Sequence, residues 1–330
     1  MGITITDIQT ELLAFNRKNN RAIEPWIFSN EMQLAKHCKT IPKVNGEYPV
    51  PQAVMGHVVQ AFRPQWDAFG VLNIKANKLY TQRQKVNLEI KANDVYKSWV
   101  GDMYIEGKKA GEQPISKYIM DTILGPAVQN DMSYLEIKGV FGQDNQAFGA
   151  SMNGIEQVLA AGVASTTQPM IRNVLSSALT ETNIVDRVIQ FERYIEKHLV
   201  KVKKSLKKIY MSAEMATNYR LKYEQLYGVN MDYTAAGGML TKVLRMEIIP
   251  IDFLDSQTMF TTPNGNMTRQ IDVIDPAEAP QITDIQVFNY DLKVFMEFSL
   301  GYGFLYNQAV VVATYSGASG LAADHDLFVK

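Results

Sequence analysis

The side chains able to do chemistry are few and scattered. Histidines stand at 37, 57, 198 and 325, and the single cysteine is Cys38. None of the histidines sits at metal-ligand spacing to another His or Cys, so no zinc-type site can be read from them. One cysteine allows no intrachain disulfide, which suits a reducing compartment or a protein needing no covalent staple. The chain has no phosphate-binding P-loop, no G-x-G-x-x-G after a strand and no G-x-S-x-G elbow. Gly301-x-Gly303 and Gly237-Gly238 read as ordinary turn glycines. Asn266-Met267-Thr268 matches a glycosylation acceptor, incidental without a secretory signal. No catalytic, cofactor-binding or metal-ligating residue is assigned, and no cofactor is expected. The expected class is therefore a non-enzyme, with a soluble α+β enzyme of scattered catalytic residues as the alternative.

One charge run stands out: Lys197, Lys201, Lys203, Lys204, Lys207 and Lys208. It has two readings. The bland one is a solvated helix end whose lysines complement the helix dipole. The sharper one is a patch facing nucleic acid or an acidic neighbour. The bland reading is favoured, because surface charge runs commonly carry no specific role. Whole-chain charge agrees: 33 basic against 34 acidic residues leave a net charge of −1. A dedicated nucleic-acid binder carries a strong basic excess, so any contact with DNA is expected to be weak and local.

Elements must hold these residues in place, and the clearest are β. Leu72, Ile74 and Ala76 alternate with polar residues, as do Val86, Leu88, Ile90 and Ala92. Two such segments with a polar tip at 81–85 predict a long hairpin with one apolar face. A lone two-stranded hairpin is at best marginally stable, so that face needs cover from elsewhere in the fold or from a neighbouring subunit. Before it, an amphipathic helix is expected over residues 6–18, then an irregular arm to about 51, kept extended by Pro25, Pro42, Pro49 and Pro51. Pro114 opens a long helix, kinked at Gly125-Pro126 and resuming through Val128, Met132 and Leu135.

Residues 155–163 read as a short apolar helix. Over 183–202, Ile184, Val188, Phe191, Ile195, Leu199 and Val202 form one stripe, with Asn183 as the cap. A strand at 209–211 leads into a helix capped by Ser212 and stopped by Gly228. Strands follow at 243–249 and 258–262, a turn at 263–266, and long strands at 284–298 and 302–314. Helices and strands do not strictly alternate, which indicates α+β rather than a doubly wound sheet.

The chain has 330 residues, 46% of them apolar, enough for about two domains. No apolar run approaches the roughly 18 residues that cross a bilayer, and no signal peptide is visible, so no membrane partner is expected.

The order of parts resembles the major capsid proteins of tailed bacteriophages with the Hong Kong 97-like fold. Three stretches carry the likeness. Residues 86–101 resemble the returning strand of that family's extended loop. Residues 114–120, Pro-Ile-Ser-Lys-Tyr-Ile-Met, resemble the start of its spine helix. Residues 208–219 and 259–266 resemble its central strand–helix unit and late strand–turn element.

The resemblance implies an N-terminal arm (1–50), an extended β-hairpin loop region (51–110) and a peripheral domain with the spine helix (111–182 and 271–315). It further implies an axial domain (183–270) and a C-terminal segment (316–330). Such subunits form hexamers and pentamers of an icosahedral shell around double-stranded DNA, assembled in the host bacterial cytoplasm. Copies of the chain itself, portal, scaffolding and decoration proteins, and packaged DNA are the implied partners. No long charged coiled-coil segment precedes the arm, so scaffolding is expected from a separate protein. Leu72, Ile74, Val86, Leu88 and Ile90 are the candidate intersubunit contacts. An encapsulin-type compartment shell shares the implied fold and is the nearest alternative.

Overall fold

A computed structural model describes residues 32–55, 59–66, 72–91, 125–142, 145, 147–200, 202–228, 233–234, 237–272, 282–288 and 291–315. The helix expected over 6–18, the Pro114 helix start and the C-terminal segment lie outside them.

Sheet one carries β1 (Lys39–Ile41), β9 (Met267–Ile271), β11 (Asp291–Phe304) and β10 (Ile282–Phe288) in that order, with β4 (Gln82–Lys91) also paired to β11. Sheet two runs β5 (Ile171–Val174), β12 (Val311–Thr314), β8 (Met259–Thr261), β6 (Lys208–Ser212), β7 (Glu247–Ile251). A separate antiparallel ribbon joins β2 (Glu47–Met55) to β3 (Leu72–Tyr80). Four α-helices occur among the described residues: α1 (Gly125–Lys138), α2 (Ile155–Ala164), α3 (Ile184–His198) and α4 (Ala213–Tyr227).

Period-2 alternation makes sheet two the partition between two cores. Ile209, Met211, Ile248, Met259, Val311 and Ala313 face α3 and α4. Tyr210, Phe260 and Val312 face the other way, with α1, α2 and sheet one. Both faces are covered, so its strands read as continuous apolar runs. The α3 stripe is as expected: Ile184, Val188, Phe191, Ile195 and Leu199 are buried. Val128, Met132 and Leu135 of α1 are buried too. Ser212 caps α4 by accepting a hydrogen bond from Met215 N at 3.2 Å. Gly228 ends it at φ +80°, a left-handed value that glycine adopts without strain.

Several expectations are corrected. Asn183 does not cap α3 with its side chain: its Oδ1 turns back to accept from Thr180 N at 2.9 Å. The strand expected over 243–249 begins only at Glu247. Buried Glu192 of α3 draws the preceding loop inward, accepting from Val243 N at 3.2 Å, Leu244 N at 2.8 Å and the Thr241 hydroxyl. The strand expected over 302–314 is broken by a 3-10 turn at Asn307–Ala309. Asn266 fixes the break: its Oδ1 accepts from Tyr306 N at 2.8 Å, and its Nδ2 donates to Tyr306 O at 3.0 Å.

The largest correction concerns the hairpin. Both strands exist, but they do not pair with each other. Only Thr81 lies between them, and a hairpin needs at least about two loop residues. The chain instead passes from one sheet to another. β3 pairs with β2, Glu47 opposite Tyr80 through Met55 opposite Leu72. β4 pairs with β11, Gln82 opposite Leu300 through Lys91 opposite Asp291. Thus the arm expected to be irregular up to Pro51 contains a strand. Pro49 and Pro51 are tolerated because alternate positions place both missing N–H groups on the same outer edge.

The ribbon crosses sheet one at Gly301 and Gly303. These are mid-strand residues of β11, not turn glycines. A Cβ on Gly301 would lie 2.0 Å from Tyr80 O, and one on Gly303 2.6 Å from Leu79 Cδ2. Gly301→Ala is expected to push the ribbon base off β11 and to destabilise the subunit by about 1–3 kcal/mol, the usual range for overpacking. Chemical denaturation checks this; an unchanged midpoint would mean the close crossing is not structural.

Candidate assembly surface

The ribbon has about nine paired residues per strand, so it projects roughly 30 Å. Its base is fixed tightly. Gly46 N donates to Thr81 Oγ1 at 2.8 Å, and Thr81 N donates to Gly46 O at 2.8 Å. Asn77 Nδ2 donates to Phe304 O at 2.6 Å and reaches Asn307 Oδ1 at 3.1 Å. Leu79 is buried. A polar side chain at 77 and an apolar one at 79 therefore point down onto β11.

Between the two strands, residues 59–66 are exposed throughout. Val59, Phe62 and Trp66 show 88%, 93% and 87% of their surface to solvent. Three large apolar side chains touching almost nothing of their own subunit mark an interaction surface rather than scattered surface apolarity. Phe and Trp are also the residue types enriched at the centres of protein interfaces. Sequence reading missed them because they carry no period. The available signal was Phe62 and Trp66 flanking Pro64, in a stretch with neither strand nor helix pattern.

The predicted contact residues divide. Val86 and Leu88 are half-buried against the subunit's own larger apolar cluster, and β4 is covered by β11. Cover for this strand thus comes from elsewhere in the fold. Leu72 and Ile74 lie on β3 and Ile90 on β4, with side chains outside the described residues. In the lysine run, Lys197, Lys204 and Lys207 are exposed, and Lys203 and Lys208 are half-buried. Lys201 lies outside the described residues. Lys208 is drawn towards His37, with Nζ 3.3 Å from Nδ1. Burial first, then Lys208 and Lys36, lower the His37 pKa to about 4, so the ring is neutral at neutral pH. Among the described residues, no group of three His, Cys, Asp or Glu could hold a metal, and no helix is long and apolar enough to cross a membrane.

The core beneath the ribbon contains a buried carboxyl that ties three segments together. Glu136 of α1 accepts from Leu34 N at 3.3 Å and from the Tyr302 hydroxyl of β11 at 3.0 Å. Burial pushes its pKa up to about 7, against the opposing pull of both hydrogen bonds and Arg269. Cys38 sits in the same cluster, its thiol pushed up by burial and by Glu136.

With this geometry in hand, the fold can be placed. It is that of tailed-phage capsid subunits. The capsid protein of an empty GTA particle aligns over 87% of this chain and 97% of its own, with TM-score 0.52 and 9% identity. The satellite phage P4 procapsid aligns over 87% and 97%, with TM-score 0.51 and 10% identity. The cyanophage A-1(L) capsid aligns over 89% and 93%, with TM-score 0.53 and 13% identity. No family model and no curated protein matches the sequence.

Glu136 yields a pH prediction. A carboxyl raised from its ordinary 4.5 to about 7 favours folding when protonated, so stability falls as pH rises through that window. Glu136→Gln is expected to stabilise the subunit at pH 8 by about 2–3 kcal/mol, since each pKa unit is worth about 1.4 kcal/mol. The gain should vanish near pH 4. Thermal melts of both proteins at the two pH values test it, and a pH-independent difference would contradict the assignment.

Proposed function

We propose that this chain is a capsid shell subunit of a tailed bacteriophage, associating with copies of itself in hexamers and pentamers around double-stranded DNA. The observation that carries the reading is the ribbon: a projecting β2–β3 pair whose tip offers Val59, Phe62 and Trp66 to solvent, on a body with a capsid fold. A self-contained enzyme gains nothing from an apolar tip held about 30 Å from its core. A shell subunit needs such reach, because its contacts are spread over several neighbours and each one stays modest.

The proposed parts follow. Residues 1–50 form the arm, now including the first residues of β2. Residues 51–110 hold the extended loop, 111–182 and 271–315 the peripheral domain, 183–270 the axial domain and 316–330 the C-terminal segment. Two separate apolar clusters support two centres of packing. Leu72, Ile74 and Ile90 remain proposed contact positions, together with Val86 and Leu88 where their half-exposed surface is free. The exposed lysines 197, 204 and 207 suit weak, salt-sensitive contact with packaged DNA. Portal, scaffolding and decoration proteins are the proposed further partners.

Electron microscopy and size-exclusion chromatography of the full chain, expressed with the scaffolding protein, test the reading. Capsomers or closed shells are expected, and a stable monomer or dimer would refute it. Shells filled with cargo protein instead of nucleic acid would mean a compartment rather than a virion. Replacing Phe62 and Trp66 together by Ser should leave the melting midpoint unchanged and raise the concentration needed for assembly at least tenfold. That follows because burying one such aromatic contributes about 1.5–3 kcal/mol.

A further inference from the structure

We infer that the 59–66 tip of one subunit seats on a surface aromatic cluster of a second copy, formed by Tyr134, Phe148 and Phe253. This rests on the assembly reading above and specifies its acceptor. The three rings come from three separate segments: α1, the loop after it and the turn after β7. Tyr134 lies 5.1 Å from Phe148 and 5.8 Å from Phe253, measured between ring centres. Phe148 is 65% exposed and Phe253 48%. Aromatic rings gathered from three segments yet left open to water form a contiguous apolar patch, which a soluble body usually covers.

The patch is built rather than accidental. Phe253 has φ +62°, a left-handed backbone that bulky residues rarely adopt. Gln33 holds this turn from both sides: its Oε1 accepts from Asp252 N at 2.8 Å and its Nε2 donates to the Asp252 carboxylate. The neighbouring residue Leu254 is buried, so the turn sends one apolar side chain into the core and presents the next to solvent.

Charge complementarity selects the occupant. Arg63 is the only charged residue of the tip, set between Phe62 and Trp66. Asp131 lies one helical turn before Tyr134 on α1, and Asp252 adjoins Phe253; both are exposed. The one nearby cation, Lys138, lies a turn further along α1 and feels the Glu156 carboxylate. An aromatic–cation–aromatic tip therefore meets an aromatic floor with a carboxylate on two sides. Donor and acceptor are different surfaces of the same chain, so the contact is head-to-tail and can close into rings.

Two measurements test this. First, Phe62→Cys subunits are mixed with Phe148→Cys subunits, assembled and treated with a short bismaleimide. Cys38 is left in place because burial disfavours its thiolate. A covalent dimer joining the two variants is expected in assembled particles only. Second, Arg63→Glu should raise the concentration needed for assembly about fivefold, the upper end for an exposed ion pair. Adding Asp131→Lys and Asp252→Lys to that variant should restore it. Normal assembly without the 62–148 link, or without rescue by charge reversal, overturns this seat and leaves the shell reading standing. Failure of the unmodified chain to assemble would remove both.

Discussion

A two-stranded β ribbon has too little area to bury its own side chains, and the rest of this molecule is arranged around that constraint. The base of the ribbon is held by close crossing. Gly301 and Gly303 give β11 no side chain where Tyr80 O and Leu79 come down, and Asn77 bonds to the backbone at Phe304. Only the base is sheltered. The tip remains in water with its aromatics exposed. A rigid root with an uncovered end transmits position: where the body sits fixes where the tip goes.

The body supplies that rigidity through buried polar anchors at its joints. Glu192 holds the 241–244 loop onto α3, and Asn266 holds the break between β11 and β12. Glu136 joins α1, β11 and the segment at Leu34. Each replaces a stretch that periodicity alone would extend as strand, or leave as loose loop, with a specified turn. The cost is titration, since a buried carboxyl favours its neutral form. Glu136 and Glu192 both have raised pKa values for this reason.

Legibility from sequence followed the range of the interaction. Elements set by local periodicity were readable: the α3 stripe, the Ser212 cap, the Gly228 stop and the alternation of β3 and β4. Pairing partners were not. Alternation at 72–76 and 86–92 says which face is apolar but not which strand lies alongside, and adjacency in sequence suggested the wrong pair. Proline at 49 and 51 disguised β2 because its edge position is a tertiary fact. Glycines 301 and 303 looked like turn residues because the ribbon that needs their bareness is more than two hundred positions away. Of the candidate surface, β3 was legible, whereas Phe62 and Trp66 follow no period and emerge only from their exposure.

The two prolines of β2 have a consequence beyond tolerance. A bare strand margin invites other chains to add on sheetwise, through backbone donors and acceptors that recognise any sequence. On the outer margin of β2, alternate donors are missing, so a second ribbon finds an interrupted ladder. Self-association is thereby left to side chains, which can discriminate between neighbours and let go. A crowded population of such subunits is steered away from fibrils and towards contacts that remain open to correction.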